Sequence, residues 1–263
     1  MKYEVLQGDC REVMATLDAE SVDAIVTSPP YAMQRAKQYG GIPESEYPEW
    51  STEWMAEAHR ILVPSGSVII NIREHVRDGQ ISDYVHRTRL ALREWGWFEW
   101  DELIWIKKTS APIGHPSRPR RSWERLLWFG KSRQGFAAPK ANGKKSNRVG
   151  RVGSKLAIAG GWENKVSGVP VEGTARCVDF FECTPSKDGL HPAAYPPELA
   201  SWCVKLTTPK GGLILDPFCG SGSTGKAAVR EGFDFIGIEL DHEYSDIARA
   251  RIEAEAQKAG VFA

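Results

Sequence analysis

Two stretches of this chain combine residue types that can do chemistry. The apolar run VDAIVT at 22–27 leads straight into Ser28-Pro29-Pro30-Tyr31. The prolines lack backbone donors and stiffen the turn, which leaves the Pro29 carbonyl free to accept from an amine. Ser28 adds a second acceptor, and Tyr31 offers a flat face on which a planar heterocycle can stack. Alone, such a turn reads equally well as a proline-stiffened strand end. The second stretch, LILDPFCGSGSTGKAAVREG, places Asp216 at the end of a strand and Gly220 and Gly222 in the turn before a helix. Glycines there let the backbone approach a ligand closely. Glu239, 23 positions after Asp216, ends the next strand, where a carboxylate can accept from both hydroxyls of a ribose. Strand, loop and spaced acid together predict a nucleoside-cofactor site. A phosphate-cradling loop fits poorly, because Lys226 lacks the G-x-x-x-x-G-K-[ST] spacing.

The elements that must position these residues follow from the apolar patterning. Runs at 3–7, 22–27, 67–72, 212–216 and 233–240 predict buried strands. Helical periodicity at 48–62, 80–94, 195–207, 222–231 and 241–258 places helices between them. On the first of these helices Trp50, Trp54, Ala58 and Ile61 share one stripe. Strands alternating with helices imply a mostly parallel α/β sheet, and the runs at 100–108 and 124–131 predict an antiparallel addition at its edge. From 132 to 173 the chain turns to Gly, Lys, Asn and Ser with little periodicity, which predicts a loop-rich insert. The expected organisation is therefore two halves of one domain, 1–131 and 174–263, flanking an insert at 132–173.

With 263 residues, 41% hydrophobic and 26% charged, the chain has enough material for one well-buried domain and a small lobe. No stretch approaches the roughly 20 apolar residues of a membrane span, and the N-terminus lacks a leader pattern, so a cytoplasmic protein is expected. Five scattered cysteines without metal-ligand spacing predict buried free thiols and no metal site. The formal net charge is zero but unevenly spread: Lys107 to Lys155 carries fourteen Lys or Arg and a single acid, Glu124. Such a basic stretch can meet a polyanion and become ordered on it. A disordered surface loop is the plainer alternative for the insert.

TSPPY at 27–31 and DPFCGSGST at 216–224 resemble the two signature motifs of the amino-group DNA methyltransferases. GDC at 8–10, HRILVPSGSVIINI at 59–72, ELIWIKK at 102–108, SWERLLWFGKS at 122–132, HPAAYPPEL at 191–199 and FIGIELDHEYSDIARARI at 235–252 extend the resemblance over nearly the whole chain except the insert. The catalytic motif precedes the cofactor motif with the basic insert between them, which is the order of the family's β class. The resemblance implies a circularly permuted, Rossmann-like α/β sheet of the S-adenosylmethionine-dependent methyltransferase type, with one antiparallel strand. It assigns Asp216, Phe218, Gly220, Gly222 and Thr224 to the methionine end of S-adenosylmethionine and Glu239 to its ribose. Asp9 matches the position that approaches the adenine amino group, and His191 opens the segment beside the methionine carboxylate. Ser28, Pro29, Pro30 and Tyr31 form the implied catalytic turn. Ser28 stands where many members carry Asp.

The implied reaction is direct transfer to the exocyclic amine of a flipped base. Ser28 and the Pro29 carbonyl orient the nitrogen, which attacks the sulfonium methyl in line. A C5-cytosine enzyme would need a cysteine nucleophile in a setting that none of the five provides. Double-stranded DNA is the expected partner, contacted by Arg118, Arg120, Arg121, Lys144, Lys145, Arg148 and Arg151. A neutral acceptor at Ser28, with the HPA segment at 191–193, favours cytosine N4 over adenine N6. A protein glutamine methyltransferase and an inactive DNA-binding relative remain competitors, disfavoured by the basic insert and by the intact motifs. A homodimer and a cognate restriction endonuclease are compatible with this reading, and the sequence specifies neither.

Overall fold

Runs of β-branched residues without polar alternation become strands buried on both faces, as in β2 (Val22–Thr27) and β3 (Leu62–Ile72), where Ser67 to Ile72 are all buried. A computed structural model describes residues 1–33, 41–109, 117–138, 145–146, 173–174, 177–185 and 195–260. In chain order its elements begin with β1 (Tyr3–Gln7), α1 (Cys10–Ala15), β2, α2 (Tyr47–Ile61) and β3. A small hairpin of β4 (Val76–Arg77) and β5 (Gln80–Ile81) follows, then α3 (Tyr84–Trp95), β6 (Phe98–Lys107) and β7 (Trp123–Gly130). Beyond β8 (Lys145–Ser146) and β9 (Gly173–Thr174) come β10 (Phe180–Cys183), α4 (Pro197–Thr207), β11 (Leu213–Asp216), α5 (Ser223–Glu231), β12 (Asp234–Glu239) and α6 (His242–Lys258).

Eight strands make one sheet in the order β1-β12-β11-β2-β3-β7-β6-β10. Every neighbouring pair is parallel except those made by β7, which runs antiparallel to both β3 and β6. The antiparallel addition expected at 100–108 and 124–131 is therefore a single reversed strand, and β10 lies outside it at the edge. N-terminal β1 pairs with C-terminal β12 (Val5 opposite Gly237). The strand carrying the glycine-rich turn, β11, lies beside β2 although it is far from it in sequence. This is the circularly permuted, Rossmann-like order. Helices α1 to α3 pack on one another, as do α4 to α6.

Contacts divide the chain into one unit of residues 1–138 and 179–263, which holds this sheet, and a second of residues 139–178. In the second, β8 and β9 pair antiparallel, Lys145 opposite Thr174. Of the five cysteines, Cys10, Cys203 and Cys219 are buried, while Cys177 and Cys183 are half-buried; all are unpaired. Among the described residues no helix is long and apolar enough to cross a membrane.

Buried charge ties the far half of the sheet together. Glu74, just past β3, is 4% exposed and accepts from Arg125 Nε at 2.7 Å; Arg121 and His86 lie at 3.4 and 3.9 Å. Arg125 also pairs with Glu102, and Arg89 reaches Glu99 and Glu102, each at 2.7 Å. Removing one partner of such a cluster leaves an uncompensated charge and costs about 3–5 kcal/mol.

Candidate active site

In an open parallel sheet, ligands bind outside the carboxyl ends of the strands where the strand order reverses. Here that point lies between β11 and β2. The residues just beyond β1, β2, β11 and β12, namely Asp9, Ser28, Phe218 and Leu240, all line one cavity of about 670 Å³. Its wall brings Ser28, Pro29, Pro30 and Tyr31 together with Pro217, Gly220 and Glu239, although the two groups are nearly two hundred positions apart in sequence. The volume suits a nucleoside-sized cofactor with room for part of a second ligand.

Glu239 is 4% exposed and forms one corner. Its Oε2 accepts from Gly220 N at 2.7 Å and its Oε1 from Asp241 N at 3.0 Å. Two carboxylate oxygens offer about four acceptor sites, so capacity remains for donors in the cavity. Burial raises the Glu239 carboxyl above the ordinary glutamate value, and the two backbone N–H groups oppose that shift. Asp9 is both the cap of α1, accepting from Arg11 N at 2.9 Å, and the partner of the Arg11 guanidinium at 2.8 Å; these bonds hold its carboxyl below the usual range. Arg11 continues to Glu53 at 2.6 Å.

Asp216 and Thr224 do not line the cavity. Asp216, 1% exposed, sits behind it with both oxygens occupied. Its Oδ1 accepts from Thr27 Oγ1 at 2.6 Å and Phe218 N at 3.1 Å, and its Oδ2 from Thr224 Oγ1 and from Tyr195 OH at 3.4 Å. Burial raises its carboxyl and these donors pull it down. Asp216 thus pins the glycine loop from behind to β2 and to the segment that enters α4. Gly222 is also set back: its φ of 85° is left-handed, and a Cβ would meet the Ala248 backbone at 3.2 Å, so it serves the turn and the close packing of α6.

The catalytic turn is braced from three sides. Ser28 Oγ donates to the Asn71 carbonyl at 3.2 Å, which commits its proton and leaves its lone pairs to accept. Tyr47 OH donates to the Pro30 carbonyl at 2.9 Å, whereas the Pro29 carbonyl has no protein donor among the described residues. Tyr31 OH donates to Glu124 Oε2 at 2.8 Å.

A third wall escapes motif reading. Gly41, Ile42, Pro43 and Trp50 complete the cavity. Trp50 lies 5.6 Å from Phe218, and Trp54 packs edge-on against the same ring at 5.3 Å. Glu44 anchors this wall: it accepts from Ser82 Oγ at 2.6 Å and meets His75 Nε2 at 2.6 Å. The stripe on α2 signals Trp50 as a packing residue, but nothing in its spacing points to the cavity.

Of the basic residues, Arg118 and Arg120 are exposed. Arg118 donates to the Gly79 carbonyl, and Arg121 is committed to Glu74. His191, Lys144, Arg148 and Arg151 lie outside the described residues, as does the side chain of Lys145.

Reversed-strand sheet, loop-borne acid and amine-accepting turn around one cavity define a Rossmann-like methyltransferase. The sequence model of a family described as DNA methylase, for N6 and N4 methylation, matches residues 22–250. The type II methyltransferase M.BglII of Bacillus subtilis is 28% identical over 266 residues, covering 98% of this chain and 71% of the relative. M.Cfr9I of Citrobacter freundii is 27% identical, over 95% of this chain and 88% of its own. Among solved structures, PvuII DNA methyltransferase (cytosine-N4-specific) superposes with a TM-score of 0.74 at 21% identity, over 98% of this chain and 93% of that one. The DNA modification methylase TTHA0409 of Thermus thermophilus gives a TM-score of 0.66 at 25% identity, over 96% and 95%, and has also been solved complexed with S-adenosyl-L-methionine. This chain belongs to the N6/N4 DNA methylase family: it is an amino-group DNA methyltransferase.

Proposed function

We propose that this enzyme methylates cytosine N4 in double-stranded DNA, on a base turned out of the helix into the cavity. The observation that carries the reading is that one cavity joins the Ser28-to-Tyr31 turn to Glu239 and the glycine loop. S-adenosylmethionine, when bound, supplies a methyl group on a positively charged sulfur. Glu239 would accept from its ribose hydroxyls, Gly220 would let the loop pass close to it, and Asp9 would face its adenine. Asp216 and Thr224 would shape the loop from behind.

An exocyclic amine is a weak nucleophile because its lone pair is delocalised into the ring. The turn counters this. Ser28 Oγ, its own proton directed at Asn71, and the free Pro29 carbonyl both accept N–H bonds, which favours a pyramidal nitrogen and stabilises the positive charge that develops on it. Tyr31 supplies the face against which the base stacks. No covalent intermediate with the protein is needed. Ser28 is a neutral acceptor, and the PvuII enzyme, similar in fold, is described as cytosine-N4-specific.

The basic segment that includes Arg118 and Arg120 would meet the phosphate backbone, positioning the duplex without reading its sequence. Digestion of methylated DNA to nucleosides and mass spectrometry decides the base. N4-methylcytosine is the expected product. N6-methyladenine alone would overturn the base assignment and leave the transfer reaction standing.

A further inference from the structure

Glu124 has no place among the motif residues, yet it is buried at 7% exposure and ends in contact with the catalytic turn. It is also the single acid in the basic stretch from Lys107 to Lys155. Its strand, β7, is the reversed one, and the residue stands at the end nearest the site. Oε2 accepts from Tyr31 OH at 2.8 Å and from Asn71 Nδ2 at 3.0 Å, while Oε1 is paired with Lys107 Nζ. Asn71 Nδ2 also reaches Tyr31 OH at 3.3 Å, and the backbone carbonyl of Asn71 receives the Ser28 proton. One carboxylate thus joins both side chains of the turn that would touch the base, directly at Tyr31 and through Asn71 at Ser28.

The chemistry of the group explains why an acid is used. Tyr31 OH and Asn71 Nδ2 are both donors at the same oxygen, so the acceptor must be able to take two bonds there while its other oxygen meets a cation. A carboxylate does this. A glutamine cannot, because it has one oxygen to divide between Lys107 and the two donors and would turn an NH2 toward one of them. Such charge-assisted bonds fix the Tyr31 ring in plane and rotation, and an aromatic platform misplaced by about 1 Å can cost about a hundredfold in rate.

We infer that Glu124, held by Lys107, is a positioning residue that sets the Tyr31 ring as the platform for the target base. This rests on the proposed role of the Ser28-to-Tyr31 turn. Glu124 does not touch the substrate; it acts through the Tyr31 hydroxyl.

The test is a double-mutant cycle on kcat with Tyr31→Phe, Glu124→Gln and the double variant, alongside Tyr31→Ala. Tyr31→Phe and Glu124→Gln are each expected to lower kcat about tenfold, and the double variant by about tenfold as well, since both remove one interaction; independent effects would multiply to about a hundredfold. The affinity for S-adenosylmethionine should stay within about twofold. A duplex carrying 2-aminopurine at the target position should give the same altered fluorescence with both single variants, a change that general loosening of the fold would not reproduce in Tyr31→Phe. Multiplicative effects, or full kcat in Glu124→Gln while Tyr31→Ala is inactive, would overturn the inference alone. Full turnover by Tyr31→Ala would overturn the parent reading of the turn and this inference with it. Should Glu124→Gln fail to fold, Lys107→Met with Glu124→Leu removes both charges together and takes its place in the cycle, with the same outcomes.

Discussion

Replacing Glu239 by alanine separates cofactor binding from stability. In the folded protein the carboxylate is 4% exposed and takes two backbone donors, Gly220 N at 2.7 Å and Asp241 N at 3.0 Å. Alanine leaves both N–H groups without that partner, at a cost of about 1 kcal/mol each. Against this, the variant no longer buries a carboxylate whose ionised form the site already disfavours, so the net change in stability is small. Nothing offsets the loss on the cofactor side. Ribose hydroxyls would lose a charged acceptor worth about 1.5–3 kcal/mol, which raises the dissociation constant by roughly 10- to 150-fold. Titration calorimetry measures that affinity, and a thermal melt of the free protein measures the other half. The pH dependence has a definite sign. Burial raises the free Glu239 carboxyl above 4.5, and hydroxyl donors from a ligand favour the anion and lower it again. Affinity should therefore increase as pH rises through the free value, and flatten above it. Glu239 by itself makes the opposite contribution to folding: a carboxyl raised in the folded state favours the protonated form, so its contribution falls as pH rises through that same range. Unchanged cofactor affinity in Glu239→Ala, with the fold intact, would refute the assignment of the ribose site.

Three further outcomes follow from the same geometry. Ser28→Ala should cut kcat while cofactor affinity stays within about twofold, because Ser28 faces the amine and not the nucleoside; calorimetry beside single-turnover kinetics reads both. Asp216→Ala orphans Thr27, Tyr195, Thr224 and the Phe218 N–H, and even after relief of a buried carboxylate should destabilise the fold by about 2–4 kcal/mol, roughly 5–15 °C in Tm by calorimetry. Neutralising Arg118 and Arg120 together should lower the slope of log affinity for DNA against log salt by about 2, leaving cofactor binding intact. Arg121 is omitted from that pair because its loss also exposes buried Glu74.

Periodicity exposes the frame of the fold because a doubly wound sheet buries whole strands and one face of each helix. VDAIVT and FDFIGIEL can only be interior strands, and they are. Their ends bear Ser28 and Glu239, and the cavity gathers both. Contacts set by tertiary pairing are not legible in the same way. Asp216 reads as a ligand residue from its place in the motif, but its four donors come from β2, α5, the loop and Tyr195, a saturation that no local pattern encodes. Glu124 stands out in the sequence as a lone acid in a basic stretch; only the reversal of β7 brings it against Tyr31, 93 positions away. The edge strand β10, four residues long with half-exposed aromatics, is too short to carry a period. The β4–β5 hairpin does leave a signal, Asp78-Gly79 with φ of 49° and 79° between short runs, the pairing that two-residue hairpins prefer.

The central claim is that one cavity carries a methyl group to the amine of a DNA base. The most direct test follows the label from methyl-tritiated S-adenosylmethionine when the enzyme is offered duplex DNA and protein acceptors together. Tritium should appear in DNA, in a methylated amino nucleoside after digestion, and should vanish in Tyr31→Ala while that variant still binds the cofactor. Label on protein amide, or DNA labelled at the full rate by Tyr31→Ala, would contradict the account.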